Sequence, residues 1–314
     1  MLNLAEQDEE IDFAVGGQAV IEGVMMRSPN ALTIAVRKPN GEMAIKKEKY
    51  KSVIQKIPAL NIPILRGVIN LFEMMVLGTK AINFSANASL DDTPEEEEKA
   101  TTTLGKILEG VMFAFSLVIA LSLSLTLFKV LPLWITTYID SNVPLVHENF
   151  FLFNLVDGVI KSSIFLTYIF VLTLVPSFRR VFEYHGAEHK SIFTYEKKKE
   201  LTVENAAKQT RFHPRCGTSF IIIVFIISVI VYTIVPKQTT FLSNLALRIT
   251  VLPLVAGLSY EFLKISARHA QSTFVKFLIA PGLAFQRLTT KEPDSKQLEV
   301  GLRSLKEALI MEKL

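Results

Sequence analysis

The chain has 314 residues, half of them hydrophobic, with a mean hydropathy of +0.35 and a formal net charge of +4. That is too apolar for a soluble protein of ordinary surface, and the apolar residues come in blocks, which points to a membrane protein with the lipid bilayer as a partner. No basic patch interleaved with aromatics marks a nucleic-acid surface, and one cysteine, Cys216, excludes an internal disulfide.

Met1 to Asp12 is acidic and lacks the apolar core of a cleavable signal peptide. Phe13 to Met26 reads as strand, interrupted by Gly16, Gly17 and Gly23, where glycine allows a bulge or a close backbone approach. Glu22 and Arg27 are the polar groups embedded there, either reaching a site or serving as β-edge charges. Leu32 to Lys38 alternates on the strand period, Pro39-Asn40-Gly41 is a turn signal, and Met43 and Ile45 continue the alternation, so a β-hairpin is expected. Residues 1–57 are read as a cytoplasmic, β-rich segment.

Over 58–90 the period turns helical. Arg66, Asn70, Glu73, Lys80, Asn83 and Asn87 form a narrow polar stripe on an otherwise apolar helix, the pattern of a helix in a membrane interface or against other membrane helices. Residues 91–106 are expected to be an acidic linker, because they contain Asp91-Asp-Thr-Pro-Glu-Glu-Glu-Glu-Lys99.

Residues 107–265 carry four apolar blocks, at about 107–131, 156–175, 220–235 and 245–265, and are read as a four-span membrane domain. Asp157 and Lys161, four apart, can pair and so lower the cost of burying either. Residues 132–149 hold no Lys or Arg, whereas 177–218 hold nine. The positive-inside rule then places 177–218 and both termini in the cytoplasm of a bacterial, multi-pass inner-membrane protein. Residues 266–314 are read as a cytoplasmic tail. Within it, Phe274 to Ala284 is interfacial or re-entrant and broken at Pro281-Gly282, a loop runs to Asp294, and Leu298, Leu302, Leu305 and Leu309 mark an amphipathic helix. The expected fold class is mainly α: a polytopic membrane protein of about four spans, with a small N-terminal β-hairpin element and interfacial or amphipathic helices.

The 177–218 loop carries Glu183-Tyr-His-Gly-Ala-Glu-His-Lys190. His185 and His189 are four apart and share one helix face, with Glu188 beside them. The pattern is H-x-x-E-H, two imidazole ligands and a carboxylate that can take a proton from a water the metal activates. Alone it is weak, and its bland reading is a surface helix with solvated histidines. His213-Pro-Arg-Cys216 follows, so three of the five histidines and the only cysteine fall between 185 and 216. Those spacings suit a transition metal, with zinc favoured. Glu261 and His269 flank the cytoplasmic end of the fourth block, at the same expected level.

The chain resembles the YqhQ-like family, bacterial membrane proteins with a domain of unknown function that carry the label of a predicted metal-dependent enzyme. The resemblance rests on Gly16-Gly-Gln-Ala-Val-Ile-Glu-Gly-Val-Met-Met-Arg27, Glu183 to Lys190, Leu201-Thr-Val-Glu-Asn205, His213-Pro-Arg-Cys-Gly-Thr-Ser219, Gly257-Leu-Ser-Tyr-Glu261 and Pro281-Gly-Leu-Ala-Phe-Gln-Arg-Leu-Thr-Thr290. It implies a metal but supplies no substrate, and it adds Glu22, Arg27, Glu204, Arg215 and Glu261 as candidate site residues.

Two functions of different class follow. In a membrane-bound hydrolase, His185, His189 and one of His213, Cys216 or Glu261 hold the metal, a position stays open, Glu188 is the base, and the substrate is lipid-borne or membrane-proximal. In a scaffold, assembly factor or transport-associated protein, His185, His189, His213 and Cys216 close a structural zinc shell that staples the loop. A third reading, Cys216 as a nucleophile, lacks an orienting partner in the sequence. A homo-oligomer is compatible with all three.

Overall fold

The computed structural model describes residues 15–90, 103–235, 237–268 and 272–313. The acidic segment as far as residue 102 and His269 lie outside them.

The N-terminal region is a four-stranded antiparallel meander rather than a single hairpin. Its strands are β1 (Gly16–Val20), β2 (Gly23–Arg27), β3 (Ala31–Arg37) and β4 (Met43–Lys49). The expected 32–45 hairpin is β3–β4, with Arg37 opposite Met43. The stretch read as one interrupted strand is a second hairpin, because Glu22 takes a positive φ of 49° and reverses the chain before Gly23. Gly23 marks no bulge: a Cβ there would lie 2.5 Å from the Ala35 carbonyl oxygen, so glycine permits close pairing with β3.

Both faces of this sheet are covered, which is why β2 and β3 are apolar on both periods. Val24, Met26 and Ala35 join one core with Tyr184, Ala187, Leu298, Leu302 and Leu305. Met25, Leu32, Ile34 and Val36 join another with Leu77 and Ala81. The first cover is the C-terminal helix, Ser295–Glu312, together with the helix that bears the H-x-x-E-H stretch. The leucines expected to mark one face, Leu298, Leu302, Leu305 and Leu309, are all buried there. The two ends of the chain therefore build one layer. The Glu312 carboxylate ties it shut, accepting from Ser28 Oγ at 2.5 Å and Asn30 N at 2.9 Å.

The second cover is α2 (Leu65–Ser89), which follows a short α1 (Val53–Lys56). It begins later than the expected 58 because Pro58 opens a 3-10 turn and Ile64 has a φ of 71°. Its polar stripe points partly inward: Arg66 pairs with Glu261, Asn70 donates to Tyr260 at 2.9 Å, and Glu73 accepts from Ser52 at 2.8 Å. Phe72, Met75 and Val76 are exposed.

The rest of the chain forms α3 (Thr103–Leu125), a π-helical turn (Thr126–Val130), α4 (Leu131–Asn142), α5 (Pro144–Glu148), α6 (Phe150–Leu174), α7 (Pro176–Glu196), α8 (Val203–Ala207), α9 (Gly217–Ile234), α10 (Phe241–Thr250), α11 (Leu252–Arg268), α12 (Thr273–Thr289) and α13 (Ser295–Glu312). Three stretches are long and apolar enough to cross a membrane: Gly110–Asn142, Phe150–Leu174 and Gly217–Ile234. A fourth counts if α10 and α11, bent by 41°, act as one broken span. Two expected loops are helical. Residues 132–142 continue the first helix through the π turn, and α12 runs past Pro281 to Thr289.

Candidate functional site

The helix that bears the H-x-x-E-H stretch, α7, starts at Pro176, just after α6 ends at Leu174. Proline suits a first-turn position, where its missing N–H costs nothing. Nine of its residues are buried, including Glu188 and His189. Cys216 is the N-cap of α9, and its sulfur accepts from Thr218 N at 3.4 Å. A helix amino end presents N–H groups that suit an anionic sulfur ligand.

These elements bring His185, His189 and Cys216 together, with one ligand atom from each within 4.8 Å of the others. His185 Nδ1 donates to the Thr289 carbonyl at 2.8 Å, and His189 Nδ1 donates to the Arg211 carbonyl at 2.5 Å. A carbonyl can only accept, so both rings carry their proton on Nδ1 and leave the Nε2 lone pair free. His185 Nε2 lies 3.2 Å from Cys216 Sγ. His189 Nε2 is buried and has no hydrogen-bond partner. An orphaned, buried lone pair beside a second imidazole and a sulfur is the arrangement expected of metal ligands, whose other ring nitrogen is held by a carbonyl. Donor atoms around tetrahedral zinc are separated by roughly 3.3–3.8 Å; the 3.2 Å between His185 Nε2 and Cys216 Sγ is close to that, and a group within 4.8 Å needs only a small contraction to hold such an ion.

Glu188 Oε2 lies 3.6 Å from His189 Nε2 and 3.8 Å from His185 Nε2. Burial pushes this carboxyl above its ordinary range, opposed by the nearby imidazoles of His185 and His213 and by the Gly17 N–H that donates to it. Gly17 is where β1 meets the site: a Cβ there would stand 2.7 Å from Glu188 Cγ.

His213 is adjacent, its ring 5.6 Å from that of His189, but it is engaged elsewhere. Its Nδ1 accepts from Arg215 N at 3.2 Å, and its Nε2 faces both Glu196 oxygens at 3.3 Å. Burial raises the Glu196 carboxyl, but the His213 hydrogen bond and the Arg215 charge outweigh it and hold it below the ordinary range. The His213 backbone is clamped by Gln286, which accepts from its N–H at 2.8 Å and donates to its carbonyl at 2.7 Å.

The remaining sequence candidates serve other contacts. Glu22 binds Arg180 at 2.5 Å and accepts from Tyr184 at 3.1 Å, which docks the first hairpin on α7. Arg27 stacks over Tyr50 at 4.5 Å. Glu261 is held by Arg66, Arg215 pairs with Glu196, and Glu204 is exposed in the first turn of α8. Sequence reasoning missed the two backbone carbonyls that orient the histidines, and no side-chain signal marks such groups. It also missed Lys190, which donates to the Ala207 carbonyl at 3.0 Å and pairs with Glu292. Glu292 lies 3.9 Å from Arg211 Nε as well, so the loops after α8 and α12 are joined around the cluster.

The family model described as "Protein of unknown function (DUF1385)" matches residues 62–311. "Uncharacterized protein YqhQ" of Bacillus subtilis (strain 168) is 35% identical over 310 residues, covering 96% of this chain and 94% of that protein. No solved structure gives a significant match. With a family model over most of its residues and a relative aligned almost end to end, the chain belongs to the YqhQ-like, DUF1385 family.

Proposed function

We propose that this protein is a multi-pass protein of the bacterial cytoplasmic membrane and a zinc-dependent hydrolase acting at the cytoplasmic membrane surface. The observation that carries the reading is the orphaned His189 Nε2, set beside His185 Nε2 and Cys216 Sγ while His213 is turned to Glu196. That leaves three protein donors, the number found at catalytic zinc, with room for a fourth, exchangeable position. A zinc ion held there supplies Lewis-acid activation of a water and of the bond to be cut. The chain's own part is to hold and move the proton. Glu188 Oε2 lies within 3.8 Å of both imidazoles, and its burial favours the protonated form that a base must reach during turnover. Thr289 and Arg211 fix the ring tautomers throughout. The cluster joins the end of α6 to the start of α9, both apolar enough to span, and the nine Lys and Arg of 177–218 favour the cytoplasmic side. A substrate at that level is lipid-borne or a membrane-proximal segment.

A scaffold with a structural zinc has one observation in its favour: at 3.6 and 3.8 Å from the imidazoles, Glu188 is close enough to close the shell as a fourth ligand. Metal content of the purified protein separates the readings. His185→Ala, His189→Ala and Cys216→Ser should each lose stoichiometric metal, and His213→Ala should keep it. Glu188→Gln should also keep it, with the thiolate charge-transfer band of the cobalt-substituted protein intact, and should lose turnover by about 10²–10⁴-fold. Loss of metal in Glu188→Gln would favour the scaffold, and full metal content in a His185→Ala/His189→Ala double variant would end both readings.

A further inference from the structure

A second polar cluster lies at the opposite end of the same helices. Asn154, Asp157 and Lys161 stand in the first half of α6, Tyr232 is near the end of α9, and Arg248 is near the end of α10. The His/Cys cluster, by contrast, follows the end of α6 and precedes the start of α9. The charged groups are deeply buried, with Asp157 1%, Lys161 4% and Arg248 5% exposed. Asp157 Oδ2 accepts from Lys161 Nζ at 3.0 Å and from Arg248, and Arg248 Nη2 donates to Asn154 Oδ1 at 2.8 Å. The Tyr232 ring has three cations around it: Arg248 at 5.0 Å, Lys161 at 5.4 Å and Lys129 at 5.8 Å. Lys129 comes from the π-helical turn, a backbone form common at functional sites.

The charges do not balance. Lys129, Lys161 and Arg248 face one carboxylate, Asp157, so basic side chains outnumber acidic ones by two. The next carboxylate, Asp140, is taken by Lys237 at 2.5 and 2.6 Å. Lys129 has no ion-pair partner among the described residues. The donors do not balance either: a guanidinium offers five N–H groups and an ammonium three, more than Asp157 and Asn154 accept. Lys161 and Arg248 are buried and share one carboxylate, and Lys129 is half-buried beside them; such basic groups inside a helix bundle are costly and mark a binding site by default. Beside Arg248 is a polar cavity of about 10 Å³, lined also by Asn154, Tyr232 and Lys237. That is about the room one water-sized species needs, too little for a phosphate or a lipid headgroup.

We propose that this cluster binds a halide-sized monovalent anion, seated in the cavity against Arg248, with Lys129 and Lys161 supplying the rest of the positive field. The site is separate from the His/Cys cluster and takes a different class of ligand. The test is thermal unfolding of the full-length protein in detergent, titrated with sodium chloride or bromide against sodium gluconate at constant ionic strength. Chloride and bromide should raise the midpoint saturably and gluconate should not. Lys129→Gln should weaken the apparent halide affinity at least tenfold, and Lys129→Arg should retain it. Metal content should not change in either variant. Equal midpoints in chloride and gluconate would overturn the proposal, as would a halide effect of undiminished affinity in Lys129→Gln. If Lys129→Gln does not fold, the wild-type anion series and Lys129→Arg still decide it, because a midpoint that follows ionic strength alone refutes a halide site.

Discussion

Replacing Gly17 with alanine tests whether the N-terminal sheet is part of the proposed metal centre. The added Cβ would stand 2.7 Å from Glu188 Cγ, 2.9 Å from Glu188 Oε1 and 2.8 Å from the Met25 carbonyl oxygen. All three separations are below any real Cβ contact, so something must move. The Met25 carbonyl belongs to β2, which is paired to β1 in register, and Glu188 is buried against the imidazoles. Overpacking of this kind costs about 1–3 kcal/mol. The strain also displaces the Gly17 N–H that donates to the Glu188 carboxylate. Gly16 is the control, since a Cβ there meets nothing within 4 Å. Gly17→Ala should therefore lower denaturant stability by about 1–3 kcal/mol and weaken zinc retention in a chelator competition, with Gly16→Ala near wild type on both. Equal behaviour of the two variants would refute the contact between β1 and the site.

Two further outcomes are expected. Glu292→Gln removes the carboxylate shared by Lys190 and Arg211 and so loosens the Arg211 carbonyl that holds His189, and zinc affinity should fall by about tenfold, the lower end of the range for outer partners of a ligand; unchanged affinity in a chromophoric chelator assay would remove Glu292 from the site. The Glu196 carboxyl is held below its ordinary value of 4.5 in the folded protein, so its contribution to stability is complete above that value and is lost as the pH falls through the lower, folded one. Stability curves of wild type and Glu196→Gln should then converge below about pH 4.5, and a gap that is constant with pH would contradict this.

The helical face of the H-x-x-E-H stretch was legible because a four-residue spacing maps directly onto one side of a helix, and α7 contains it whole. The β3–β4 hairpin was legible for the same kind of reason, a period of two broken by Pro39-Asn40-Gly41. Pro281-Gly282 misled the reading because both residues commonly end helices. In the structure Gly282 packs within α12 against Ser219, where a Cβ would stand 2.9 Å from that side chain, so glycine here marks close helix packing. Residues 132–142 misled it because charge content separates spans from loops but says nothing about where a helix stops.

At the site, spacing brought His185, His189 and Cys216 onto one list but could not rank His213 against them. The difference lies in partners. His213 meets Glu196, itself fixed by Arg215, so its ring is satisfied without a metal. His189 Nδ1 meets only a backbone carbonyl and its Nε2 has no hydrogen-bond partner. Glu261, a candidate from the family pattern, is held by Arg66 of α2. Each outcome depends on a residue far away in sequence, which local periodicity does not encode.

The candidate metal-ligand cluster is assembled from parts that no single element contains. α7 supplies two imidazoles and a carboxylate, α9 supplies a sulfur through its N-cap, α12 and the loop before His213 supply orienting carbonyls, and β1 supplies Gly17. α7 and β1 belong to the layer that the two chain ends build, whereas α9 and α12 pack with the apolar helices. A metal in this position would bond across the seam between those two units. Its binding free energy would then add to the docking of one on the other, since the ligands are not preassembled in the unfolded chain. The residues that brace the cluster without touching the ligand atoms are Gln286 against the His213 backbone, Glu292 between Lys190 and Arg211, and Glu22 on Arg180. They complete the site as surely as the histidines do, because an imidazole whose carbonyl partner drifts no longer presents its lone pair to the same point.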